Sequence, residues 1–219
     1  MFESNVFDRT STADALISPA LYNLVIGLCL FWGFFVNWLL VINIEPESLR
    51  AINPWVFFIG YFASCFFGIY LFNSSDKPIV SFIGYNFVVV PFGLIVNLVV
   101  SRYDETLVIE AIRITAGVTL VMMILGAMYP KFFQKISGAL TVALLAVLVI
   151  ELVQIFLLGI HHNWIDWAVA ILFCGYIGYD WGRANQIPKT VDNAVDSAAA
   201  LYMDIINLFL RILRILGRK

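Results

Sequence analysis

Two aspartates stand where an apolar chain has least use for a charge. Asp180 lies near the end of Leu172-Phe-Cys-Gly-Tyr-Ile-Gly-Tyr-Asp180-Trp-Gly, and Asp204 inside Ala198-Ala-Ala-Leu-Tyr-Met-Asp204-Ile-Ile-Asn-Leu-Phe-Leu. A charge near the centre of a bilayer costs roughly 2.5–3.5 kcal/mol on insertion scales, and such groups face a bundle interior, a partner or a water-filled path. Two carboxyls within reach of each other form a hydrogen bond only while they share a proton, and they then titrate as a unit. Once both are ionised they repel, or together attract a hard cation through oxygen ligands. A polar linker, Arg183 to Ser197, is long enough to turn the chain back and set the two segments antiparallel.

Further polar residues surround this pair in sequence. Asp204, Asn207, Arg211, Arg214 and Arg218 are spaced by three and four, which places them on one helix face. Such a helix either lies on the membrane surface with its basic side in water, or spans the membrane with its polar stripe turned to a hydrophilic interior. The position of Asp204 in the most apolar part favours the spanning helix. Glu151 sits deep in another apolar run, where it stays protonated or meets an arginine of the last helix. Glu110 and Arg113, three apart in a third run, are placed to pair on their own helix. His161-His162 fall in a tight turn, where interfacial solvation is a better account than a metal site.

The elements that must position these groups are membrane helices. Of 219 residues, 62% are hydrophobic and 13% charged, against about 45–50% and about 25% in an ordinary soluble domain. Too little polar surface remains to cover a globule in water. The net charge is −2, with no basic block for a nucleic acid. Cys29, Cys65 and Cys174 fall singly in separate runs and read as packed thiols.

Helices crossing about 30 Å of hydrocarbon need about 20 residues. On that template there are seven: Leu21–Ile44, Pro54–Phe72, Ile79–Ser101, Leu107–Tyr129, Gly138–Gly159, Trp164–Gly182 and Ala198–Leu216. The runs are continuous rather than alternating, which excludes barrel strands. The expected organisation is an N-terminal tail over 1–20, one seven-helix transmembrane domain over 21–216 and a basic tail over 217–219. The first run is too long for the apolar part of a signal peptide.

Gly60, Ser64 and Gly68, and Gly178 with Gly182, have the small-xxx-small spacing that lets helices approach closely. Trp55, Trp164 and Trp181 suit the aromatic belt at the water interface. With arginines inside the spans discounted, Lys and Arg divide unevenly between the two sides. Arg9, Lys77, Lys131, Lys135, Arg183 and Lys189 stand against Arg50, Arg102, Arg218 and Lys219, which places the N-terminus inside.

The run Leu201-Tyr-Met-Asp204-Ile-Ile-Asn207-Leu-Phe-Leu-Arg resembles the closing signature of the Bax inhibitor-1 (transmembrane BAX inhibitor motif) family, in its bacterial type. Gly178-Tyr-Asp180 resembles the family's Tyr-Asp element, and Ala111-Ile-Arg-Ile-Thr-Ala-Gly resembles its Thr-Ala element. The match is strong over the last 45 or so residues. The resemblance implies an all-α membrane protein of seven transmembrane helices with the C-terminal helix central in the bundle. It further implies a pH-sensitive calcium leak in the cytoplasmic membrane of a bacterium, with Asp180 and Asp204 as the hydrogen-bonded pair that senses pH and lines the ion pathway.

On that reading the partners are the lipid bilayer and calcium or another cation, with no resident cofactor and a possible calcium site on the same two aspartates. The chain departs from the family where Trp181-Gly-Arg follows the Tyr-Asp element. It departs again at Asn73-Ser-Ser-Asp-Lys, where bacterial relatives carry an arginine that locks the pair. Lys77, Arg113 and Arg214 are candidates to replace it, with Asn207, Arg211 and Glu151 as further partners. Two rival functions remain. One is a non-transporting membrane interaction protein in which the aspartates merely join helices. The other is an intramembrane aspartyl protease, which also needs two carboxyls sharing a proton but carries its second aspartate in a Gly-x-Gly-Asp element. Here Leu201-Tyr-Met precedes Asp204, so the favoured reading is not an enzyme.

Overall fold

Proline opens most of the helices. The computed structural model describes residues 15–75, 77–154 and 163–218, which form α1 (Pro19–Asn43), α2 (Pro46–Arg50), α3 (Pro54–Ser74), α4 (Pro78–Val100), α5 (Glu105–Met128), α6 (Pro130–Val153), α7 (Asn163–Ala184) and α8 (Val191–Leu216). Five of these begin on a proline, whose missing N–H is one the first turn leaves unbonded anyway. Side chains supply caps as well: Ser18 Oγ accepts from Leu21 N at 3.2 Å, and Asn53 Oδ1 from Trp55 N at 2.9 Å.

There is no strand among the described residues. Helices α1, α3, α4, α5 and α6 are long and apolar enough to cross a membrane, and the chain is an integral membrane protein. Helices α7 and α8 carry the buried charges and fall outside that group. Two helix starts differ from the sequence expectation by more than two residues. The fifth apolar run was to begin at Gly138, but α6 starts at Pro130, with Lys131 and Lys135 in its first turns. The last was to begin at Ala198, but α8 starts at Val191, so only Asn185–Thr190 is linker. Asp192, Asn193 and Ser197 are buried helix residues rather than solvated linker.

The chain divides into two compact units. The first holds the described residues up to Arg102 together with Ile187–Tyr202. Within it α1 and α3 both pack on α4. Pro91, inside α4, cannot donate to the carbonyl of Phe87 one turn earlier. Ser64 Oγ of α3 donates to that carbonyl at 2.8 Å instead, which is how membrane helices repair a proline break. One turn on, a Cβ at Gly68 would sit 2.6 Å from Gly84 O, so α3 and α4 touch by backbone. Of the three small residues in α3, Ser64 and Gly68 serve this packing, while Gly60 faces open space.

Asn97 Nδ2 of α4 donates to Leu40 O (2.9 Å) and Ile44 O (2.8 Å), capping the end of α1. The first half of α8 is held in the same unit by polar contacts. Ser81 Oγ donates to Asp192 Oδ1 at 2.6 Å, and Tyr22 Oη lies 3.0 Å from Ser197 Oγ. Tyr202 exchanges hydrogen bonds with Asn37 among the rings of Phe34, Tyr85 and Phe92.

The second unit holds Tyr103–Gln186 and the described residues from Met203 on. Its frame is α7 packed on α5 and α6. The α5–α7 seam is made of glycines: Gly126 stands against the Gly178 carbonyl, and a Cβ at Gly182 would sit 2.7 Å from Gly126 O. Gly178 also receives the Phe133 ring of α6, and Gly175 receives Leu140. A close backbone seam of this kind fixes the rotation of α7, and with it the direction of the residue between Gly178 and Gly182.

Candidate functional site

That residue is Asp180. It is 9% exposed, Asp204 of α8 is 7% exposed, and their carboxyls lie within hydrogen-bonding reach of each other in the second unit. The last two helices, α7 and α8, bring these two acids together. Asp204 Oδ2 is buried and receives no hydrogen bond from any donor among the described residues. The group facing Asp204 is another carboxyl, which donates only when it carries the proton.

Arg183, one turn beyond Asp180 on the same helix, is 7% exposed and acts electrostatically on the Asp180 carboxyl. The phenol of Tyr176, one turn before, lies within electrostatic range of both acids and donates to Thr141 Oγ1 of α6 at 3.2 Å. Among the described residues no group of three or more His, Cys, Asp or Glu side chains is gathered to hold a metal. The pair offers two carboxyls, against the six to eight oxygens calcium takes in a full site.

The other expected partners sit elsewhere. Asn207 Nδ2 turns back to Met203 O of its own helix at 2.7 Å. Arg211 and Arg214 meet acids from α6 and α7. Arg211 binds Glu151 with both ends of its fork, at 2.8 Å each, and also donates to Asp166 Oδ1 at 2.8 Å. Arg214 Nη1 reaches Glu151 Oε1 at 3.4 Å and Asp166 Oδ1 at 3.2 Å, and Arg218 donates to Asp166 Oδ2. Of the two fates open to Glu151, the structure gives the arginine.

Arg113 is exposed on α5, as is Glu110, and no ion pair joins them. Lys77 precedes α4 and makes no ion pair among the described residues. His161-His162 lie outside the described residues. No described residue of α8 is exposed.

Two residues escaped the sequence reading. Asp166 is fully buried beneath three arginines. In sequence it stands between Trp164 and Trp167 at the start of a helix, where an acid is ordinary. Arg183 was counted as a loop charge. Its signal was the spacing of three from Asp180, which puts both on one face of α7 if the helix runs one turn further.

The class defined by this arrangement is a helical integral membrane protein with a buried acid pair held between two long helices. The chain belongs to the Bax inhibitor-1 family: residues 17–219 match the family model described as Inhibitor of apoptosis-promoting Bax1. It is 30% identical over 225 residues to an uncharacterized protein of Helicobacter pylori, covering 97% of this chain and 96% of that one. It is 29% identical over 174 residues to Bax inhibitor 1 of Schizosaccharomyces pombe, covering 76% and 63% respectively. An uncharacterized membrane protein of Streptococcus pyogenes is 29% identical over 134 residues, 58% of each chain.

Proposed function

We propose that the protein is a pH-sensitive leak pathway for calcium or a similar cation, gated by the Asp180–Asp204 pair. The observation that carries this reading is the pair itself: two buried carboxyls facing each other, one oxygen of which has no donor. While they share a proton the hydrogen bond ties α7 to α8. When the proton leaves, two like charges in a dry site repel, and a hard cation relieves the repulsion through oxygen coordination. A two-carboxyl site binds such an ion without trapping it, as passage requires.

Arg183 is the basic residue beside the pair, taking the place of the arginine missing near the end of α3. Its positive charge competes with the cation for the pair. The architecture in this proposal is seven spans, α2 being too short to count, with α8 central; the absence of exposed residues along α8 supports that placement. The N-terminus lies on the cytoplasmic side of a bacterial membrane.

The test is calcium flux into proteoliposomes loaded with a calcium dye, measured across pH. Flux that changes with pH in the wild type, and loses that dependence in Asp180→Asn and Asp204→Asn, is the expected result. An unaltered pH response in both variants would falsify the reading.

A further inference from the structure

Helix α5 carries two charges on its outer side. Ala111, Thr115, Thr119 and Gly126 form its buried face. On the opposite face Glu110, Arg113, Gly117, Leu120, Val121 and Ile124 are all exposed. Neither Glu110 nor Arg113 makes an ion pair or side-chain hydrogen bond with any described residue. This is an expensive place for them. A helix of 24 residues is about 36 Å long at 1.5 Å per residue, so it overhangs about 30 Å of hydrocarbon by roughly 3 Å at each end. Glu110 then lies about 4 Å, and Arg113 about 9 Å, below the hydrocarbon boundary at 1.5 Å per residue. Charges at such depth turn inward or find a partner; these two face outward.

We infer that this face of α5 is where two copies of the chain meet, around a two-fold axis along the membrane normal, with Glu110 of each copy opposite Arg113 of the other. The charge pattern is self-complementary. In an isologous contact residue i meets j and j meets i, so one acid and one base a turn apart generate two reciprocal ion pairs. All four charges are then neutralised away from lipid.

One turn deeper, a Cβ at Gly117 would meet nothing within 4 Å. The outer face therefore shows bare backbone there, and two helices can approach closely with small residues at the crossing. Leu120, Val121 and Ile124 continue the contact as an apolar ridge. The contact stands whether or not the protein conducts cations.

The test uses the full chain in lipid vesicles at low protein density. Gly117→Cys, oxidised with copper phenanthroline, is compared with the wild type, whose Cys29, Cys65 and Cys174 set the background. A covalent dimer in Gly117→Cys and none in the wild type is expected. Dimer fraction is then counted by single-molecule photobleaching in Glu110→Arg, in Arg113→Glu and in the double reversal. Each single reversal should lower the dimer population at least tenfold, and the double reversal should restore it, because the exchanged charges again face their opposites.

Both positions are exposed, so all three variants are expected to melt with the wild type. A monomeric wild type, with its charges answered by lipid headgroups, overturns the inference. So does a dimer indifferent to single reversal, or a double reversal that melts normally and stays monomeric.

Discussion

Asp166→Asn is the most demanding perturbation of the second unit. The substitution keeps the volume of the side chain, removes its charge and turns one of its two acceptor oxygens into an N–H donor. Asp166 is fully buried and takes Arg211 Nη1 at 2.8 Å, Arg214 Nη1 at 3.2 Å and Arg218 Nη2. Without it, Arg211 and Arg214 keep Glu151, whose side chain is 12% exposed, while all three guanidinium groups lose the acid they share. Breaking a buried pair by removing one partner costs about 3–5 kcal/mol, because the other charge stays buried and uncompensated. For a chain of this size each kcal/mol lowers the melting temperature by about 2–4 °C, so a fall of roughly 6–20 °C is expected.

Glu47→Gln supplies the control. The Glu47–Arg50 pair lies at 3.0 Å but its side chains are 73% and 43% exposed, and such pairs contribute about 0–1 kcal/mol. Thermal melts in a mild detergent, with unfolding in mixed micelles as the second readout, compare the two. If Asp166→Asn shifts the melt no further than Glu47→Gln, the cluster is screened by water and the reasoning fails.

Three further outcomes follow from the same structure. Asn97→Ala removes the side-chain N–H groups from Leu40 O and Ile44 O; Leu40 O keeps the Ile44 N–H at 3.1 Å, so a cost of about 1–3 kcal/mol is expected from the lost cap on Ile44 O, read by the same melts. Gly126→Leu drives a side chain into the Gly178 carbonyl; it should spread α5 from α7, destabilise the fold by about 1–3 kcal/mol, and reduce flux by displacing Asp180. Arg183→Gln withdraws the positive charge beside Asp180 and should change the pH dependence of calcium flux. Flux unchanged at every pH would detach Arg183 from the pair.

Much of the helical architecture could be read from continuous apolar runs, because a spanning segment announces itself by length and composition. The boundaries of α6 and α8 were harder for a definite reason. Lys131 and Lys135 look like a loop, yet they occupy the first turns of a helix opened by Pro130. Asp192, Asn193 and Ser197 look solvated, yet they are buried with Ser81 and Tyr22 as partners. Composition reports how polar a stretch is and is blind to what lies opposite it.

The same limit separates the two acidic sites. Asp180 and Asp204 were legible because each is conspicuous in its own apolar run and the helices had to be neighbours. The network of Glu151, Asp166, Arg211, Arg214 and Arg218 draws on three helices, and its central acid looks unremarkable in sequence. Glu151 of α6 was already matched to an arginine of the last helix, whereas Asp166 of α7, which takes all three arginines, was not.

The proline in α4 and the hydroxyl in α3 amount to a single choice written at two places. Pro91 leaves the Phe87 carbonyl without its helical donor, and Ser64 supplies one from the neighbouring span. Replacing the proline by alanine would make that hydroxyl dispensable, while losing the hydroxyl first would strand a carbonyl in hydrocarbon. Across lineages the two positions are therefore bound to covary, and the order of change is constrained: the ring must go before the serine does.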